Sequence, residues 1–146
     1  MLVRQILSMK DAGNSVVTIK PEQRVADAAR LLAEKRIGAL VVSSDGRTPE
    51  GILSERDIVR ELGKQGTDAL AQPISALMTR KVATCVTGDD AMTVLERMTE
   101  GRFRHLPVVD AEGHMLGLVS IGDAVSARLK ELSAEKEALT GMIMGS

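Results

Sequence analysis

An internal repeat constrains this chain more than any other feature. Gly51-Ile52-Leu53-Ser54, followed by Asp57, recurs 66 residues later as Gly117-Leu118-Val119-Ser120, followed by Asp123. Held without a gap, the same offset aligns Val16 with Val82, Thr18 with Thr84, Arg36 with Arg102, Leu40 with Leu106, Val42 with Val108 and Val59 with Val125. Only 10 of the 45 positions from Val16 to Arg60 are identical, but the matches fall on apolar runs and on the paired Ser and Asp rather than scattering. A repeat of this length marks one structural unit used twice, each copy helping to bury the other.

Each half reads in the same order. A short strand, Val16 to Ile19 or Val82 to Val86, precedes a helix whose apolar face is Val25, Ala29 and Leu32, or Ala91, Leu95 and Met98. Two apolar runs too short for helices follow as strands: Ala39 to Val42 with Gly51 to Leu53, and Leu106 to Val109 with Met115 to Val119. Ser43-Ser44-Asp45-Gly46 and Asp110-Ala111-Glu112-Gly113 supply the turns. A second helix starts after each Ser-x-x-Asp. Gly63 to Asp68 reads as the linker between halves, and Ile74 to Met78 repeats the lead-in Val3 to Leu7. The first half has extra residues after its lead-in, expected as a loop over Met9 to Ser15. The last helix extends beyond its counterpart, with Val125, Leu129, Leu132 and Leu139 on one side until Gly141, a face suited to a partner helix.

With 44% apolar and 27% charged residues, the 146-residue chain can bury a core and is not a disordered segment. A net charge of −1 and a single aromatic residue, Phe103, argue against a nucleic-acid binder. One cysteine, Cys85, and two histidines give neither an internal disulfide nor a spaced metal-ligand set. Met1 to Leu7 lacks the basic start and long apolar run of a signal peptide, and no apolar stretch reaches membrane-spanning length. These features lead us to expect a cytoplasmic protein without a membrane segment.

The Ser-x-x-Asp pair at a strand-to-helix junction has two readings. It is close to a capping box, in which Ser accepts from a free backbone N–H and the acid reaches back. The same geometry suits a nucleoside phosphate: helix N–H groups and the Ser hydroxyl attract phosphate, and a carboxylate one turn in accepts both ribose hydroxyls. Its recurrence at one register favours the second reading, since a cap alone tolerates Thr, Asn or Asp for Ser.

Two such units, with Arg104-His105-Leu106-Pro107-Val108-Val109 in the second, resemble a tandem pair of CBS domains over about residues 3 to 130. The resemblance implies an α/β (α+β) fold of two pseudo-twofold β-α-β-β-α repeats packed through their sheets. The repeats would span residues 3–64 and 72–130, with a helical extension at 131–146. It further implies a homodimer, and clefts for AMP, ADP, ATP, NAD(H) or S-adenosylmethionine. Carried over by position, Asp57 and Asp123 match the ribose-binding aspartate, and Ser54 and Ser120 its hydroxyl on ribose or phosphate. Thr18, with Lys20, and Thr84 match the strand beside the base. Ile37, Gly38, Ala39 and Leu40, and Phe103, Arg104, His105, Leu106 and Pro107, match the segments that hold adenine.

The two clefts differ in sequence. The first helix opens Ser54-Glu55-Arg56-Asp57, where Arg56 can clamp phosphate, and the second Ser120-Ile121-Gly122-Asp123, with no such charge. The second repeat instead carries Arg104 and His105 where the first has Gly38 and Ala39. The expectation is one strong nucleotide site at Asp57, completed by Arg104 or His105 from across the twofold, and a weaker or empty cleft at Asp123. Arg36 and Arg102, at helix ends, read as dipole partners. His114 reads as a solvated turn residue, Cys85 as packing, and the charged residues from Lys130 to Glu137 as a solvated helix face.

The leading reading is a stand-alone sensor that binds an adenosine nucleotide, has no catalytic cofactor and signals through its dimer surface or an unidentified protein partner. No nucleophile with a spaced base, Walker-type loop or dinucleotide fingerprint marks an enzyme. The alternatives are a ligand-free interaction module in which Ser-x-x-Asp only caps helices, and a weak nucleotide hydrolase using Glu55 or His105.

Overall fold

The computed structural model describes residues 1–10 and 16–144. Its first half comprises α1 (Val3–Ser8), β1 (Thr18–Ile19), α2 (Val25–Lys35), β2 (Ala39–Val42), β3 (Gly51–Ser54) and α3 (Glu55–Gln65). The second half comprises α4 (Ile74–Leu77), α5 (Ala91–Gly101), β4 (His105–Val109), β5 (Met115–Ser120) and α6 (Ile121–Met144). Strand β1 runs parallel to β2, and β2 antiparallel to β3; β4 and β5 form the matching antiparallel pair.

The repeat offset holds residue by residue in the core. Ile19 and Cys85, Val25 and Ala91, Ala28 and Val94, Leu32 and Met98, Leu40 and Leu106, Val42 and Val108, Leu53 and Val119, and Ile58 and Ala124 are all buried. Two of these pairs trade size, Val25/Ala28 against Ala91/Val94, so each helix presents one larger and one smaller side chain and the packed volume is kept. Both helices therefore bury i, i+3, i+7 rather than the expected i, i+4, i+7: Ala29 and Leu95 lie only at the core's edge. Ala39 and Val41, on the strand face opposite Leu40 and Val42, are buried as well. A strand covered on both faces is what two sheets packed together require.

The lead-in helices are exchanged between repeats. Val3, Ile6 and Leu7 of α1 belong to the core of the second repeat, whereas Ile74 of α4 belongs to that of the first. Short backbone bridges hold both in place, Leu2 with Asp90 and Arg24 with Pro73. The exchange explains the glycine of the repeated motif. A Cβ on Gly51 would lie 2.6 Å from Met78 Sδ and 3.0 Å from the Thr79 carbonyl, and one on Gly117 would lie 2.7 Å from a Leu7 methyl. The bare backbone lets each lead-in lie close across its strand, most strictly at Gly51, where the neighbour includes a backbone carbonyl.

Three expectations are corrected. The strand expected over Val82 to Val86 is reduced to one bridge at Cys85, whose N–H donates to the Pro107 carbonyl (3.0 Å) and whose carbonyl accepts from Val109 N–H (2.9 Å). In the first repeat Val41 N–H donates to the Val17 carbonyl at 3.3 Å; Pro107 stands at Val41's place and has no N–H to give Ala83. The expected linker is helical: α3 runs through Gly63 to Gln65, and Gly66–Ala71 forms a 3₁₀ turn that buries Ala69. Helix α6 continues past Gly141 to Met144. Of the loop expected over Met9 to Ser15, Met9 and Lys10 follow α1 and the remainder lies outside the described residues.

Candidate functional site

Each second helix starts with its capping box closed. The Ser54 N–H and Oγ–H donate to Asp57 Oδ2 at 2.9 and 3.0 Å, and the Asp57 N–H donates back to Ser54 Oγ at 3.3 Å. This uses one carboxylate oxygen. The other, Oδ1, faces Arg60 Nη2 at 3.4 Å. Asp57 is 8% exposed, so Ser54 and Arg60 together hold a nearly buried carboxylate, and the long Arg60 contact leaves Oδ1 with acceptor capacity to spare.

Asp57 lines a cavity of about 350 Å³, within the range of small-molecule sites. From the first repeat come Gly38, Ile52, Ser54, Glu55, Arg56, Asp57 and Arg60. The other wall is Thr79, Lys81, Val82 and Ala83, with Arg102, Phe103, Arg104 and His105. Five permanent cations, Arg56, Arg60, Lys81, Arg102 and Arg104, thus surround two carboxylates, Glu55 and Asp57. His105 adds no sixth: burial pushes its imidazole below the ordinary value, Lys10 and Arg104 push the same way, and Asp123 only partly opposes them. It is neutral at neutral pH.

The cavity gathers eight of the residues singled out in the sequence: Gly38, Ser54, Glu55, Arg56, Asp57, Phe103, Arg104 and His105. Ala39, Leu40, Leu106 and Pro107 are instead buried strand residues, and Ile37 packs against the first repeat's core. Along β2 and β4 alternation turns Leu40 and Leu106 into the repeat cores and Ala39 and Pro107 to the opposite face, which is covered as well, leaving Gly38 and His105 to the cavity. Thr18, Lys20 and Thr84 lie outside its lining; the Thr84 carbonyl accepts from Arg97 Nη1 at 2.9 Å. Ser120 and Asp123 belong to the other cleft.

Seven lining residues were not among the expected ligand contacts: Ile52, Arg60, Thr79, Lys81, Val82, Ala83 and Arg102. Arg102, read as a dipole partner, caps α5 in the left-handed region at φ 58° and lines the cavity. Arg36 does the same for α2 at φ 54°. Val82 and Ala83 reach the wall because Pro107 leaves the chain before Cys85 unpaired. Cys85 itself is packing: burial pushes its thiol up to about 12, aided by Asp89 and opposed by Arg97, so it is not a nucleophile at neutral pH.

The related cleft differs. Ser120 N–H donates to Asp123 Oδ2 at 2.9 Å, and Asp123 N–H to Ser120 Oγ at 3.1 Å, as in the first repeat. Here Lys10 Nζ sits 3.0 Å from Asp123 Oδ2 and donates to the Leu118 carbonyl at 2.6 Å. Burial pushes the Asp123 carboxyl up, but the Ser120 N–H and Lys10 outweigh it and hold it below the usual carboxylate range. A separate space of about 120 Å³ lies between α1 and α6, lined by Met1, Ile6, Met9, Lys10, Asp123, Ser126, Ala127 and Lys130. Among the described residues no three His, Cys, Asp or Glu side chains meet as metal ligands, and no helix is long and apolar enough to cross a membrane.

Two repeats with exchanged lead-ins, each ending its sheet in a Ser-Asp box beside the repeat boundary, correspond to matches of the CBS domain at residues 3–64 and 74–130. The chain belongs to the CBS-domain family. It is 33% identical over 140 residues to the mitochondrial CBS domain-containing protein CBSX3 of Arabidopsis thaliana, covering 93% of this chain and 68% of that one. Longer A. thaliana relatives are matched over a smaller part, 25% of CBSCBSPB1. A CBS-domain-containing protein of Agrobacterium tumefaciens superimposes with a TM-score of 0.81 at 38% identity, covering 88% of this chain and 99% of that one. A protein with CBS domains from Burkholderia ambifaria gives 0.81 at 40%, covering 89% and 95%. Two more distant CBS proteins share the fold at 24% identity. One, from Pyrobaculum aerophilum, is complexed with AMP (TM-score 0.72); the other is complexed with 5′-methylthioadenosine and S-adenosyl-L-methionine (0.73).

Proposed function

We propose that this CBS pair is a cytoplasmic regulatory module that binds an adenosine nucleotide at Asp57 and carries out no chemistry on it. The observation that carries this reading is the union, in one cavity, of a nearly buried carboxylate and five cations drawn from both repeats. The carboxylate suits the ribose hydroxyls, and Arg56 and Arg104 the phosphate. Ile52, Val82, Ala83 and Phe103 offer apolar contact to a base. The surplus of positive charge favours a phosphate-bearing ligand over S-adenosylmethionine, which is itself cationic. The adenosine ligands of the two distant fold neighbours support the same class.

The repeat units, 3–64 and 72–130, form the sensor, and the extension from 131 transmits its state. Val125, Leu129, Leu132 and Leu139 are 42, 62, 45 and 59% exposed along α6, and Val59, related to Val125 by the repeat, is 67% exposed. We take this apolar surface as the contact to a second copy of the chain or to a protein partner. Thermal unfolding of nucleotide-stripped protein against AMP, ADP, ATP, NAD⁺, NADH and S-adenosylmethionine tests the reading. A ligand at 100 times its Kd adds about 2.7 kcal/mol, several degrees for a domain this size. A shift lost in Asp57→Ala is expected. No shift with any compound would favour the capping reading, for which the closed Ser54–Asp57 box is the supporting observation, and release of product from bound nucleotide would favour the hydrolase.

A further inference from the structure

Helix α5 ends on Gly101, where its backbone does not require a glycine. Gly101 is helical, a state in which glycine is poorer than alanine, and the left-handed residue that stops the helix is the next one, Arg102. The first repeat stops its helix in the same way with Lys35 at the place of Gly101: Arg36 is left-handed like Arg102, and the following N–H, of Ile37 or Phe103, donates to the Leu32 or Met98 carbonyl at 3.2 or 2.9 Å. The reason for the glycine is the side chain two residues on. A Cβ on Gly101 would lie 2.1 Å from Phe103 Cε2, 2.4 Å from Cδ2 and 3.2 Å from Cζ, so one edge of the ring occupies the place of the missing side chain. Phe103 is the only aromatic residue of the chain; it is half-buried, packs against the second repeat's core and lines the Asp57 cavity. Its counterpart Ile37 packs against the first repeat's core and lies outside that lining.

We infer that Gly101 is a positioning residue, whose bare backbone seats the Phe103 ring in the cavity wall, so that the site selects phosphate ligands that carry a planar base. This rests on the reading of the Asp57 cavity as a nucleotide site. A phenyl already held against a helix end and a core gives up little further freedom when a base packs on it. A methyl at residue 101 cannot coexist with the ring where it stands. The ring is rigid, so it must turn about its side-chain torsions, and the cavity wall moves with it. The backbone on either side is held independently, by the Phe103 N–H on Met98 and by the Arg104 carbonyl, which accepts from Ile121 N–H at 2.8 Å. Displacing the ring therefore removes the base contact and leaves the arginines that meet the phosphate.

AMP affinity by calorimetry and ribose 5-phosphate affinity by NMR titration, on the wild-type chain, Gly101→Ala, Phe103→Ala and the double variant, test this. Gly101→Ala and Phe103→Ala should each weaken AMP about tenfold, and the double variant should match either one within about twofold, because both remove the same contact. Ribose 5-phosphate should bind the wild type at least about tenfold more weakly than AMP and change by less than about twofold in the variants, which also shows that they fold. The chain has no Trp or Tyr, so Phe103 gives its only phenyl signals. In Gly101→Ala those signals should move in the free protein, and the shift that AMP causes in the wild type should be lost; a glycine that only ends a helix would leave the ring unmoved. Wild-type affinity for AMP in Gly101→Ala, losses that multiply in the double variant, or ribose 5-phosphate bound as tightly as AMP would overturn the inference while the cavity remains a phosphate site. If the wild type binds neither compound, the nucleotide reading fails and the inference with it.

Discussion

The Asp57 and Asp123 clefts start from the same local design and end as different objects. Both place a Ser-Asp box on the first turn of a helix, after a glycine that admits the other repeat's lead-in, and the box geometry agrees within a few tenths of an ångström. Around the first box stand five cations and a cavity of about 350 Å³; at the second, among the described residues, Gly122 and Ser126 take the places of Arg56 and Arg60, and Lys10 is ion-paired to Asp123. The lesson is that the repeated motif fixes where a carboxylate sits, while residues outside it decide what that carboxylate can hold.

The largest expected effect comes from removing one carboxylate at a time. Asp57→Ala should weaken AMP binding at least about 100-fold, since two hydrogen bonds to a charged group at about 1.5 to 3 kcal/mol each are lost. Asp123→Ala should change it by less than about threefold by calorimetry, because that carboxylate lies outside the cavity. Equal losses would erase the distinction between the clefts.

Arg56→Ala and Arg104→Ala sharpen the comparison by separating phosphate from nucleoside. Each should cost AMP about tenfold, the loss of one charge-assisted hydrogen bond, and leave adenosine within about twofold. The same factor for both compounds would move the phosphate elsewhere.

The motif glycines give the next effect. In Gly51→Ala the new methyl presses on the Thr79 backbone carbonyl, whereas in Gly117→Ala it meets only a Leu7 side-chain methyl. We expect urea unfolding to show a loss of about 1 to 3 kcal/mol for Gly51→Ala and a smaller one for Gly117→Ala. The reverse order would mean that the two lead-ins are not seated as described.

The smallest effect concerns pH. The depressed Asp123 carboxyl contributes stability that is present above the ordinary aspartate value of 3.8 and lost as pH falls through its lower folded value. Lys10→Met should therefore cost about 1 kcal/mol at pH 7, as a partly exposed ion pair does, and nothing once Asp123 is protonated. A cost that persists in acid would assign Lys10 a packing role only.

Much of this was legible along the chain, because an offset of 66 residues carries strands, helices and cores together. The roles of Arg56 and Asp57 on one helix turn follow from local spacing. The remainder depends on contacts between distant segments. Nothing in Val3 to Leu7 or Ile74 to Met78 tells which repeat each will join, so Thr79, Lys81 and Lys10 could not be placed. Arg102, read as a dipole partner, ends α5 as that reading implies and also lines the cavity, because a helix-end arginine satisfies the dipole equally well beside a cavity or away from one. The shortened strand before Cys85 was readable in principle: Pro107 aligns with Val41 and visibly lacks the donor. Ile37, Ala39, Leu40, Leu106 and Pro107, carried over by position, lie outside the cavity's lining, Ile37 packed against the first repeat's core and the other four buried on one or other strand face.

The asymmetry itself is tested most directly by a crystal structure grown with saturating AMP. The expected result is one nucleotide per chain, its ribose on Asp57 and its phosphate between Arg56 and Arg104, with Lys10 still on Asp123. Nucleotide bound only at Asp123, with Lys10 displaced, would contradict the account.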